Sequence, residues 1–64
     1  MPDFTFQNHL SLFLVVPRNA AAREHLEANV SDEAQWFGGA LVVEPRYAKA
    51  LAVALINDGF EVAS

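Results

Sequence analysis

Apolar residues run almost without a break from Leu10 to Val16 and again from Ala40 to Val43. An unbroken run rich in branched side chains marks a strand covered on both faces, not one half in water. Along the first run Leu10, Leu12, Leu14 and Val16 point to one side and Ser11, Phe13 and Val15 to the other. Both sets call for burial. Phe4 and Phe6 alternate with Asp3, Thr5 and Gln7, so residues 1–8 read as a short extended arm or an edge strand.

Helical spacing takes over after Pro17. Asn19 is a suitable N-cap for a helix through AAAREHLEANV to about Val30, with Ala22, Leu26 and Val30 on one face and Arg23, Glu24, Glu27 and Asn29 on the others. Ser31, Asp32 and Glu33 interrupt the pattern. Residues 34–37 then lead into Gly38-Gly39. That pair supplies the positive φ angles of a tight hairpin, and the alternative is a bulge in one continuous strand; the flanking apolar segments favour the hairpin. Glu44 and Pro45 open a second helix to about Asn57, because proline in the first turn loses no intrahelical bond. Asp58-Gly59 stops it, and residues 60–63 form a last strand with Phe60 and Val62 on one side.

Strand, helix, strand, strand, helix, strand is the βαββαβ order of an α+β, ferredoxin-like sandwich with both helices on one face of a small mixed sheet. In this expectation the two continuous apolar runs are central and parallel, and the shorter, mixed segments are edges. VVPRNAAAREHL from Val15 and VVEPRYAKALAVAL from Val42 repeat one strand-to-helix pattern, which supports the arrangement.

Composition narrows the function classes. Sixty-four residues make one domain, and a domain this small buries only about 60% of the surface of its unfolded chain. With no cysteine and only two histidines, neither disulfides nor a metal are at hand to add stability, which leaves self-association. A formal charge of −4 opposes direct nucleic-acid binding. The run from Leu10 lacks preceding positive charge and is too short to span a bilayer, so the expected location is cytoplasmic, with no membrane partner.

No motif assigns an activity. If the central strands are parallel, Arg18 and Arg46 meet at one sheet edge beside helix N-termini, a candidate anion site; the alternative is that Arg46 pairs with Glu44 or a terminal carboxylate and Arg18 is solvated. Ala48, Leu51, Ala52 and Leu55 make the core stripe of the second helix, leaving Val53 and Ile56 for a partner. With both helices on one face, either Phe13 and Val15 or their alternates lie uncovered, and a symmetric homodimer would cover them. Trp36 and Tyr47 are candidate contact anchors, although a core position is the favoured one for Trp36 as the largest apolar residue of so small a domain. His9 and His25 lack catalytic or metal-ligand spacing, so no enzyme activity, metal or cofactor is expected.

EAQWFGGALVVEPRY, residues 33–47, resembles a segment of small uncharacterised proteins carried by bacterial plasmids and phages. The resemblance covers less than a third of the chain. It implies a mobile-element accessory protein that inhibits or modulates a host complex by binding it; the negative charge adds the alternative of an acidic decoy, its first-helix face set against a basic surface on a host defence or nucleic-acid-handling protein. The resulting expectation is a non-enzymatic protein-binding module, homodimeric or bound to a host partner.

Overall fold

The computed structural model describes all 64 residues. It is an α+β protein with a mixed five-stranded sheet and two helices. Strands β1 (Phe4–Asn8) and β2 (Phe13–Pro17) precede helix α1 (Ala20–Asn29). Strands β3 (Trp36–Phe37) and β4 (Ala40–Val43), helix α2 (Pro45–Asn57) and strand β5 (Val62–Ala63) follow. The sheet order is β3-β4-β2-β1-β5.

Three expectations are corrected here. Residues 4–8 are neither an arm nor an edge: β1 lies inside the sheet, antiparallel to β2 and parallel to β5. The first apolar run is also shorter than expected, because Leu10 sits in the β1–β2 turn at φ 70° and the strand starts at Phe13. The two most apolar strands, β2 and β4, are neighbours in the middle of the sheet, but antiparallel ones, with Phe13 opposite Val43 and Val15 opposite Leu41. Direction follows from the path. Helix α1 returns the chain to the end where β2 began, so β3 runs parallel to β2; the hairpin then reverses it, and β4 enters between them antiparallel to both.

The Gly38-Gly39 pair turns that hairpin, with φ 56° and 83°. Two consecutive positive φ values match the twist of a two-residue hairpin. Both helices use their expected starts. Asn19 caps α1 by accepting the Ala22 N–H at 2.8 Å, and Pro45 opens α2 after Glu44.

Side chains alternate across the sheet. Phe4, Phe6, Val15 and Leu41 face the helices and join Ala22 and Leu26 of α1 with Ala48 and Leu55 of α2 in one cluster, so both helices cover the same face. Phe4 and Val15 are fully buried. Phe60 closes the cluster, its ring edge-on to Phe4 at 5.4 Å. Ala40 is buried yet lies outside the cluster, in keeping with its position on the opposite face.

One end of the sheet is knotted around Asp3. Its carboxylate accepts the Asn19 side-chain amide at Oδ1 and the Glu61 N–H at Oδ2, both at 2.8 Å. Its backbone N–H donates to the Glu61 carbonyl at 2.9 Å, and its carbonyl accepts the Arg18 N–H at 2.7 Å. These bonds hold the carboxyl below its ordinary pKa, the Glu61 N–H contributing most and the Asn19 amide next.

Candidate functional site

The antiparallel β2–β4 pair separates the two arginines. Val43 lies opposite Phe13, so Arg46 follows the start of β2 while Arg18 follows its end. A five-residue strand spans roughly 17 Å. The proposed anion site is therefore not assembled. Arg46 instead donates from Nε to Glu44 Oε2 at 2.8 Å and lies 5.0 Å from the Tyr47 ring centre, while the Arg18 side chain is exposed without an ion-pair partner.

Phe13 and Val15 are corrected as well. Both point to the helices, Val15 wholly buried and Phe13 packed against the core cluster. The uncovered set is its alternate. Leu14 and Val16 of β2 share the outer face with Val42 and Ala40 of β4, Thr5 and Gln7 of β1, Phe37 of β3 and Ala63 of β5. None of these eight residues is charged, although the chain carries twelve charged side chains. Leu14, Val16 and Val42 are only half-buried, and Phe37 is 69% exposed. A shallow concavity of about 370 Å³ crosses this face, with Leu12, Leu14, Phe37 and Val42 as its apolar lining and His9 and Gln35 among its polar members.

The β1–β2 turn borders that concavity. Leu10 is 91% exposed there, its N–H donating to Asn8 Oδ1 at 2.8 Å. Nothing in the composition of the turn announces it, since no glycine or proline falls between Asn8 and Phe13. The one usable sign was Asn8, whose side chain folds back onto the backbone two residues on.

The remaining candidates are dispersed over the helix side. Val53 and Ile56 are exposed on α2, as their displacement from the core stripe implied, and Tyr47 is exposed near the start of the same helix. Trp36 faces α1 from edge strand β3, 38% exposed, in a groove with Arg23, Glu27, Val30 and Gly39. It is neither a central core residue nor part of the outer face.

His25 takes partners distant in sequence. Its Nε2 lies 3.1 Å from Asp58 Oδ2 at the end of α2, and its ring rests on Phe60 at 4.7 Å. The imidazole thus clamps the two helices together, with no nucleophile beside it. His9 is on the surface, 3.4 Å from the Gln7 side-chain oxygen. No group of three or more His, Asp or Glu side chains converges as metal ligands would, and no helix is long and apolar enough to cross a membrane. Compared with known proteins, the chain matches no family model, no curated protein and no solved structure.

Proposed function

We propose that this protein is a non-enzymatic binding module whose contact surface is the outer face of its sheet. One observation carries the reading: the face is apolar at its centre, lacks any charged side chain and has no helix over it. Contiguous exposed apolar surface of this kind marks interaction sites, and an aromatic such as Phe37 is a favoured anchor. The uncommitted chemistry elsewhere is slight, which is why binding is preferred to catalysis.

The test is a photocrosslinking residue, benzoylphenylalanine, placed at position 37 and separately at position 47 in cells that carry the protein. The expected result is an adduct of discrete mass from position 37 and none from position 47. Adducts from position 47 alone would move the contact to α2 and refute the reading.

A second reading, an acidic decoy for a basic host surface, draws on Glu24, Asp32 and Glu33 around the C-terminal half of α1. None of the three has an ion-pair partner. Binding of that kind would weaken steeply with salt, whereas contact through the uncharged sheet face would not. As to fold type, we read the chain as a ferredoxin-like framework with one strand inserted. What supports this is that β2, α1, β3, β4, α2 and β5 follow the βαββαβ order, with β1 between β2 and β5.

A further inference from the structure

We infer that the groove between α1 and the β3–β4 hairpin holds an arginine side chain of a partner protein, stacked on Trp36 and ion-paired to Glu27 and Asp32. The inference rests on the second reading, a basic partner, and draws nothing from the outer sheet face.

The first support is an indole without a partner. Trp36 is the only tryptophan and is 38% exposed. No ring or cation of the chain stacks on it, for the aromatic contacts join Phe4, His25 and Phe60, and Arg46 lies over Tyr47. Its N–H donates to no group of the chain. Among aromatic side chains tryptophan is the strongest seat for a cation.

Charge is the second support. Arg23, Glu27 and Asp32 line the same groove as Trp36, a space of about 390 Å³. Arg23 does not neutralise it. Its guanidinium lies against Gly39, where a Cβ would stand 3.0 Å from Nη2, and it stays 3.9 Å from Glu27, beyond hydrogen-bond reach. Neither Glu27 nor Asp32 accepts a side-chain hydrogen bond, and Asp32 has no ion-pair partner. The end of α1 opens into the groove at Val30 and Ser31, and no basic residue in its last turn offsets the negative end of the helix dipole. Two carboxylates, one guanidinium and that dipole leave the groove negative, on a chain whose charge of −4 draws cations from a distance.

The chemistry selects among cations. A planar guanidinium stacks on an aromatic face while its edge reaches carboxylates, whereas an ammonium is compact and more strongly hydrated, so arginine fits better than lysine. A residue within a protein fits better than the free amino acid, whose own carboxylate the acidic surroundings repel. Glu24, one turn before Glu27, and Glu33, next to Asp32, are exposed and unpaired, ready for further basic residues of the same partner. Because these groups are exposed, each contact is weak and screened by salt, and affinity accrues from several together.

The single indole N–H resonance of Trp36 reports on the groove directly. N-acetylarginine amide, added to about 50 mM at constant ionic strength, is expected to shift it saturably, with a dissociation constant on the order of 10 mM. N-acetylcitrulline amide, the same shape without the charge, is expected to give no saturable shift. N-acetyllysine amide and free L-arginine are each expected to bind at least about threefold more weakly. Glu27→Gln and Asp32→Asn, near-isosteric changes at exposed positions, are each expected to weaken the arginine probe about threefold. Four results overturn the inference: no saturable shift, citrulline matching arginine, lysine or free arginine binding as tightly as the amide, or a Glu27→Gln/Asp32→Asn double variant that binds like the wild type. Hexa-arginine, titrated to about 1 mM at about 50 and 500 mM salt, separates this site from the reading beneath it. Salt-sensitive binding that leaves the Trp36 resonance in place defeats the anchor alone, and no binding at either salt defeats the basic-partner reading itself.

Discussion

Truncating Phe4 tests whether the N-terminal strand is part of the core or an appendage to it. Phe4 is fully buried, paired with Pro17 on one side and Val62 on the other, and edge-on to Phe60. Removing a buried phenylalanine side chain to alanine costs about 3–5 kcal/mol, counting the lost transfer energy and the cavity left behind. At roughly 0.05–0.15 kcal/mol per residue, a 64-residue domain holds only about 3–10 kcal/mol in total. Phe4→Ala therefore removes a third of the stability or all of it. Phe4→Leu keeps most of the apolar volume and loses mainly the ring contact, about 1 kcal/mol. With a urea slope near 1 kcal/mol/M for so small a protein, Phe4→Leu should lower the midpoint by about 1 M. Phe4→Ala should lower it by about 3–5 M or lose the folded baseline altogether. Far-UV circular dichroism reads the helices, and the single Trp36, on the distant edge strand, gives a second probe whose transition should coincide. A Phe4→Leu/Phe60→Leu double-mutant cycle should return about 0.5–1.5 kcal/mol of coupling. If Phe4→Ala shifted the midpoint by less than about 1 M, β1 would be peripheral and the packing described above would be wrong.

Other outcomes follow from single contacts. Asn19→Ala removes the α1 cap and should cost about 1 kcal/mol in urea denaturation; the Asp3 carboxyl, having lost a donor, should titrate closer to its ordinary value of 3.8 by NMR. Because folding lowers the Asp3 pKa, its contribution is present above 3.8 and is lost as pH falls through the folded value. The urea midpoint should thus drop between about pH 5 and pH 2 more in the wild type than in Asp3→Asn, and identical slopes would remove Asp3 from the account. At the hairpin, Gly38→Ala meets open space at φ 56° and should cost about 1 kcal/mol. Gly39→Ala, at φ 83° with its Cβ 3.0 Å from Arg23 Nη2, should cost about 2 kcal/mol and displace Arg23 from Glu27.

Helices, hairpin and central strands were legible because each had a local signature: Asn19 before an apolar spacing of four, Pro45 at a helix start, paired glycines, unbroken valine and leucine. The β1–β2 turn had none. Leu10 adopts a left-handed conformation that leucine disfavours, so the apolar run appeared to begin there and β1 lost its partner. From that omission came the mistaken standing of residues 4–8. A separate mistake, overlooking that a hairpin reverses the chain before β4, made the central pair parallel and brought Arg18 and Arg46 together. The face assignments of Phe13 and Val15 hung on which side the helices take, a long-range choice that strand alternation leaves open. The Asp3 knot and the His25–Asp58 clamp join residues 58 and 33 positions apart, beyond the reach of any local pattern.

Sheet order also runs against the order of synthesis. β1 is made before its neighbour β5, which it needs along one side, and Asp3 waits for Glu61 to complete its ligands. Closing so long a loop is entropically late, and topologies dominated by such contacts fold slowly. Until residues 61–63 arrive, β1 has an unpaired edge and Phe4 lacks Phe60, so a nascent chain offers a sticky strand to its neighbours. Damage to β5 lengthens the life of that open edge, so aggregation on refolding is its expected first sign.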